Sequence, residues 1–154
     1  DDLGLLAREA RRVGAMDVRL TPWRALIVTG LKDSGVESLA GALARAGFVV
    51  EPGDPRLAIV ACAGAPACAN AARAVQAEAL EFAPLVPPGH GIVLHVSGCE
   101  KGCAHQRAAP FTLVARDSGY DVVLDGRASD APAHRALSMG EIGSLLARIA
   151  ERAN

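Results

Sequence analysis

Leu3, Leu6 and Ala10 fall on one face of a helical projection behind Asp1 and Asp2, either of which can cap, and Gly14 follows; this predicts a first helix running to Arg12. The segments DVRLTPW (17–23) and ALIVTGL (25–31) read as extended stretches flanking Pro22. Ser34 with Glu37 three residues on is a capping-box pattern, opening a predicted helix that ends at Gly47, and FVVE (48–51) reads as a strand. Residues 1–51 are thus expected to form a small α+β lobe, and EPGDP (51–55) marks the boundary to a second one, 52–154.

In the second lobe RLAIVAC (56–62) is an apolar β-type run, and the loop CAGAPAC (62–68) leads into an alanine-rich predicted helix over 69–82. APLVPPGHG (83–91) is a connection, and GIVLHVSG (91–98) is the next strand, delivering Cys99 at its end. FTLVARDSGYDVVLDG (111–126) predicts a β-hairpin turning at 117–119. Ser138 and Glu141 form a second capping-box pattern, starting a closing helix over 139–153 with Ile142, Leu145, Leu146 and Ile149 at helical spacing.

Composition narrows the class. The 154 residues are 51% apolar and 21% charged, enough for a real core and unlike a disordered chain. A net charge of −1 leaves no basic excess for phosphate backbones, so no nucleic-acid partner is expected. The longest uncharged runs, 57–72 and 82–99, are interrupted by proline and glycine, so no membrane span is expected either. No secretory signal is visible, and an opening on Asp1-Asp2 without methionine reads as a fragment. A cytoplasmic protein is expected, in which cysteines serve as metal ligands or reactive thiols rather than as a disulfide framework.

Cys62 and Cys68 are separated by five intervening residues, Cys99 and Cys103 by three, with thirty residues between the pairs. Each pair follows a predicted strand in a loop of small residues. Gly64, Ala65, Ala67, Gly98 and Gly102 allow close backbone approach, as four thiolates around a 4Fe-4S cluster require. The negative charge of such a centre calls for nearby donors, for which the start of the helix after Cys68, Lys101 and Arg107 are candidates. Structural zinc prefers two to four intervening residues and often histidine. Disulfides need an oxidising compartment, and unrelated free thiols would not explain two close pairs after strands. The pattern favours the cluster among these four readings.

The arrangement C-x5-C, spacer, C-x3-C resembles the C-terminal half of the sulfite and nitrite reductase superfamily. The resemblance implies an α+β fold: a ferredoxin-like half-domain over 1–51, then an iron–sulfur α/β lobe over 52–154 that faces a tetrapyrrole. It also implies a partner, the N-terminal half of the same enzyme. RLTPWR (19–24) is similar to the superfamily's Arg-x-Thr-x-x-Gln segment, with Arg24 where glutamine is usual; Arg19, Thr21 and Arg24 are the substrate-binding candidates this implies. LHVSGCEKGCAH (94–105) and GYDVVLDGRASDAP (119–132) are most similar to the superfamily's oxygen-dependent branch, the precorrin-3B synthases, whereas siroheme reductases usually carry Pro-Asn where this chain has Glu100-Lys101. That likeness implies a monooxygenase of aerobic cobalamin biosynthesis that converts precorrin-3A to precorrin-3B. Electrons would come ultimately from NADH, Cys62, Cys68, Cys99 and Cys103 would hold the cluster, and the likeness allows an additional iron at no assigned position. Lys101 and His105 join the substrate-binding candidates, and Arg107, Arg116 and Arg127 suit carboxylates. Half of a siroheme reductase and a stand-alone electron-transfer module are the competing functions. His95, on the strand before Cys99, is expected to be a satisfied structural histidine, with an iron ligand as the alternative reading, and Asn70 to help start the following helix.

Overall fold

The computed structural model describes residues 2–86 and 91–153, the last five by backbone alone, in two compact units, Asp1–Pro52 and Gly53–Asn154. The first unit holds α1 (Asp2–Arg12), β1 (Asp17–Leu20), β2 (Leu26–Thr29) and α2 (Asp33–Arg45). β1 and β2 pair antiparallel, from Asp17 opposite Thr29 to Leu20 opposite Leu26. Buried Leu6, Leu39 and Leu43 form its core, with Val18, Val28 and Phe48 packed against them. The expected Asp1 cap lies outside the described residues.

Two expectations fail here for local reasons. α2 begins one residue before Ser34, with Lys32 as N-cap and no side-chain cap bond, so the Ser34–Glu37 capping box is not made. Asp33 in its first turn supplies the negative charge that suits a helix N-terminus. Nor do residues 48–51 form a strand. Gly47 at φ +88° lets the Gly47 amide donate to Ala44 O and the Phe48 amide to Leu43 O, both at 3.0 Å. This Schellman closure takes up the Phe48 amide and brings Phe48 onto the core beside Leu43. α1 ends the same way: Gly14 donates to Arg11 O and Ala15 to Ala10 O.

The second unit carries a five-stranded mixed sheet of β3 (Ile59–Ala61), β4 (Leu94–Ser97), β5 (Ala109–Arg116), β6 (Gly119–Gly126) and β7 (His134–Leu137), in that spatial order. β3, β4 and β5 are parallel neighbours; β5–β6 and β6–β7 are antiparallel. α3 (Val75–Glu81) and α4 (Met139–Ala153) complete the unit. One sheet face, with Ile59, Leu94, Val96, Leu113, Tyr120 and Val122, packs in one core with Val75, Ala79, Ile142 and Leu146. Alternation sends His95, Ser97 and Thr112 to the other face, where they too are buried. The sheet is therefore covered on both sides, as parallel strands require.

The hairpin at 111–126 and the closing helix form as the pattern predicts. Ser138 N donates to Glu141 Oε2 at 2.8 Å and Glu141 N to Ser138 Oγ at 3.4 Å, a reciprocal capping box. Ile149 lies outside the residues described by side chain. The rest of this unit departs in detail. Residues 55–58 are a 3-10 turn, Asp54 accepting from the Arg56 amide at 2.9 Å, so β3 is only three residues long. The helix expected from 69 begins at Val75. Its would-be first turn is drawn out, Ala72 donating to Gly98 O at 3.1 Å and Ala65 to Arg73 O at 2.9 Å. Part of the 83–91 connection, 87–90, falls outside the described residues. β7 was not expected: three of its four residues are exposed, and it docks where Ala136 N donates to buried Asp121 at 3.1 Å. Among the described residues no helix is long and apolar enough to cross a membrane.

Candidate functional site

β3 and β4 run in parallel, so their carboxyl ends open on the same side, and each hands its chain directly to a cysteine loop. Ala61 lies opposite Val96, and the ladder runs on one step as Cys62 N donates to Val96 O at 3.2 Å. Cys62 therefore leaves β3 level with Ser97, two residues before Cys99. Neighbouring strands are about 4.8 Å apart, so the two loops start side by side. They are also tied directly, through Ala72 N to Gly98 O and through Gly98 N to Cys62 Sγ at 3.1 Å. A Cβ on Gly98 would stand 2.5 Å from Ala71 Cβ and 3.3 Å from Cys62 Sγ, so only glycine fits between the loops.

Within the first loop Cys68 N donates to Gly64 O at 2.8 Å. Gly64 has φ +68°, and a Cβ there would meet Val75 N at 2.8 Å. A polar group that the sequence does not advertise fixes the far side of this loop. Arg73 Nε donates to Glu78 Oε2 at 2.9 Å, the buried Tyr120 hydroxyl donates to the same oxygen at 2.5 Å, and the Arg73 guanidinium lies 5.5 Å from the Tyr120 ring centre. Burial pushes the Glu78 carboxyl upward, but the bonds from Arg73 and Tyr120 outweigh it and hold the pKa below its ordinary value. Burial, then Glu78, pushes the Tyr120 phenol up.

In the second loop Ser97 Oγ donates to Cys99 O at 2.7 Å. Gly102, at φ +59°, lies close enough to the sheet that a Cβ would come within 3.1 Å of Ala128 Cβ and 3.5 Å of His95 Cε1. Its carbonyl accepts from His105 N at 3.0 Å and Gln106 Nε2 at 2.9 Å, and Gln106 Nε2 also reaches Lys101 O at 3.2 Å. Ser97, Gln106 and the Arg73–Glu78–Tyr120 group thus shape the loops without having been singled out; only the position of Ser97 next to Gly98-Cys99 could have signalled it.

All four cysteines are free thiols, Cys103 exposed and the others half-buried, so the disulfide reading is not what this fold adopts. Among the described residues no three His, Cys, Asp or Glu side chains are grouped to hold one metal ion. Four thiolates can be spread over the irons of a cubane, and the amide directed at Cys62 Sγ is the kind of donor a thiolate-bound centre uses. The donor set on this side of the loops is therefore compatible with a cluster. The expected donation from a helix start just after Cys68 does not arise, because that backbone is not helical until Val75, and Asn70 lies in the same non-helical stretch.

The other candidates divide between the units. Arg19, Thr21 and Arg24 belong to the first. Arg19 Nε pairs with Asp17 at 2.7 Å, a bond that lowers the Asp17 pKa. Thr21 Oγ1 donates to Ala25 O at 2.8 Å and accepts from the amides of Trp23 and Ala25, closing the turn between β1 and β2. Arg24, at φ +56°, has no side-chain partner among the described residues. In the second unit Lys101 is exposed. Arg116 is engaged by Asp121 at 2.9 Å and lines, with Asn70, Gly98, Asp117 and Ser118, an open depression of about 410 Å³ beside Cys99. His105, half-buried, sets its ring 5.7 Å from that of His95 at 69°.

His95 is not the satisfied structural histidine expected. It is fully buried, and neither ring nitrogen has a hydrogen-bond partner among the described residues. Burial above all, and then His105, lowers its pKa to about 4. An unpartnered buried donor costs about 1–3 kcal/mol, so this ring marks a place where the fold carries polarity for some further purpose.

No family model matches the chain. It is 35% identical over 144 residues to a precorrin-3B synthase from Sinorhizobium sp, covering 92% of this chain and 31% of that protein. It is 30% identical to the chloroplastic ferredoxin–nitrite reductase of Betula pendula and 28% identical to that of Spinacia oleracea, covering 82% of this chain and 24% of each. In fold it is similar to the NirA protein of Mycobacterium tuberculosis, with a TM-score of 0.74 at 19% identity over 97% of this chain and 32% of that one. The chain spans a third or less of the length of these relatives.

Proposed function

We propose, because the chain belongs to the sulfite and nitrite reductase superfamily, that it is the cluster-bearing C-terminal half of an oxidoreductase of the precorrin-3B synthase type. In this reading Cys62, Cys68, Cys99 and Cys103 hold a 4Fe-4S cluster, residues 1–51 are the ferredoxin-like half-domain, and 52–154 are the lobe facing the tetrapyrrole. One observation carries the reading: Gly98 and Ala72 lace the two cysteine loops together at the adjoining ends of β3 and β4, with an amide donating to a cysteine sulfur. When bound, the cluster supplies single electrons. The chain's own residues do the rest: the Gly98 amide offsets thiolate charge, and Ser97 and Gln106 keep the second loop in shape.

The substrate in this reading is precorrin-3A, hydroxylated to precorrin-3B with dioxygen, with NADH as the ultimate electron source and room for an additional iron. Arg24 and Lys101 are cations suited to the macrocycle's carboxylates; Arg19, Thr21 and His105 complete the proposed contacts. The remaining half of the enzyme is the partner, and four free thiols suit a cytoplasmic setting. The synthase is preferred to a reductase because Glu100-Lys101 replaces the reductases' Pro-Asn and because identity to the synthase is the higher. The identity to chloroplastic ferredoxin–nitrite reductases favours a siroheme reductase as second reading.

Protein prepared without oxygen should be brown and contain about four irons and four sulfides per chain. A colourless protein with one zinc would overturn the proposal. In the complete enzyme, extraction of siroheme would favour the reductase, and conversion of precorrin-3A under dioxygen the synthase.

A further inference from the structure

His95 sits in the middle of β4, between Val60 of β3 and Thr112 of β5, on the sheet face away from the main core. The polar groups around it are spoken for. Thr112 Oγ1 donates to Gly126 O at 2.8 Å, Ser97 Oγ to Cys99 O at 2.7 Å, and Gly102 O accepts two donors. Both ring nitrogens nonetheless stay unpartnered in full burial. The ring atom that approaches Gly102 is Cε1, which lies between the two nitrogens. The polar edge of the ring therefore faces the loop carrying Cys99 and Cys103, at the residue just before Cys103. The His105 ring packs against it at 5.7 Å with the two ring planes 69° apart.

We infer that the His95 ring N–H is a hydrogen-bond donor to a sulfur of the cluster at the Cys103 side, and so helps to set its reduction potential. The inference rests on the cluster reading above. Sulfur is the acceptor that the position offers, since the nearby oxygens are already engaged. Adding an electron raises the charge on the cluster's sulfurs, and an N–H directed at one of them favours the reduced state. A buried imidazole held neutral carries one such N–H and brings no net charge with it.

The test compares unmutated protein with His95→Phe, which keeps the ring volume and removes the donor, and His95→Gln, which keeps an N–H. Iron and sulfide are counted in each, and potentials are measured by redox titration followed by electron paramagnetic resonance. His95→Phe is expected to lower the potential by about 59 mV, a tenfold loss of electron affinity in a one-electron couple, while His95→Gln stays near the unmutated value. Equal potentials in all three at full iron content would overturn the inference and leave the cluster reading intact; an unmutated protein without iron would overturn both. Should His95→Phe fail to retain iron, protein labelled with 15N-histidine decides. Its reduced cluster should show a 15N coupling that His95→Gln abolishes, and absence of that coupling in the labelled unmutated protein would sink the idea.

Discussion

The amide of Gly98 donates to Cys62 Sγ at 3.1 Å across 36 positions of sequence. This is the shortest description of how the fold joins two cysteine pairs that the chain keeps apart. It depends on β3 and β4 being parallel and adjacent, which puts both loop origins at the same end of the sheet. It depends equally on the missing side chain at Gly98, where Ala71 and Cys62 leave no room for a methyl group.

Gly98→Ala is accordingly expected to force the two loops apart. The new Cβ would meet Ala71 Cβ at 2.5 Å, a contact with a short side chain that cannot swing away. Overpacking of this kind costs about 1–3 kcal/mol. A lowered melting temperature together with loss of most bound iron is the expected result; full iron content at unchanged stability would show that the loops do not need this closeness.

The Arg73–Glu78–Tyr120 group predicts a pH dependence at the acid end. Glu78 has a pKa below its ordinary 4.5 in the fold, and Asp121, bonded by Arg116 and Ala136, likewise lies below its ordinary 3.8. Both carboxylates therefore contribute stability that is fully present above those ordinary values and is lost as pH falls through the lowered ones. Denaturation midpoints measured downward from pH 6 should stay level to near pH 4.5 and then decline. Tyr120→Phe, which removes a donor to Glu78, should lower stability above pH 5 by about 1 kcal/mol and leave a smaller acid-side loss, because the Glu78 pKa then lies nearer its ordinary value. An acid limb identical in the variant would show that the phenol does not hold the carboxylate.

What could be read in advance follows from where the forces are local. α1, the 111–126 hairpin and the closing helix are each set by their own periodicity, turn residues and caps, and these agree with the packing they meet. Residues 69–74 look helical by composition, yet Ala72 gives its amide to Gly98, a partner that only the tertiary fold supplies. FVVE looks like a strand, but the helix before it uses the Phe48 amide for its own closure. β7 shows no apolar alternation because it is an exposed edge strand held by backbone contacts and Asp121. That each cysteine pair follows a strand was legible, because the spacing is a covalent property of the chain and both apolar runs form strands. The unpartnered burial of His95 was not, since it depends on which neighbours have already used their acceptors.

Gly47 provides a test confined to the first unit. Its φ of +88° is a conformation that costs an L-residue about 1–2 kcal/mol, and it is what allows Phe48 to fold back onto Leu43. No atom lies within 4 Å of a Cβ built there, so the strain is purely in the backbone. Gly47→Ala should therefore destabilise by about that amount, with Gly47→Asn, which tolerates the left-handed region, intermediate. Equal melting temperatures for all three would mean that this helix end contributes nothing to the stability of the unit.

Thr21 and Arg24 come from the same six-residue segment but call for opposite expectations. The Thr21 hydroxyl already makes three hydrogen bonds inside its turn, donating to Ala25 O and accepting from two amides. Thr21→Ala should loosen the turn and lower stability by about 1 kcal/mol, and Thr21→Ser, which keeps the hydroxyl, should restore it. Arg24 has no such engagement among the described residues, and Lys101 is an exposed cation beside Cys99 and Cys103. Replacing either by alanine in the complete enzyme should leave stability nearly unchanged and raise the Kd for a polycarboxylate tetrapyrrole about tenfold, the loss of one charge-assisted bond. The weakening should shrink at high salt, where the cation is screened in the unmutated protein as well. Unaltered tetrapyrrole affinity in both variants would remove these cations from the binding surface and leave the segment a purely structural turn.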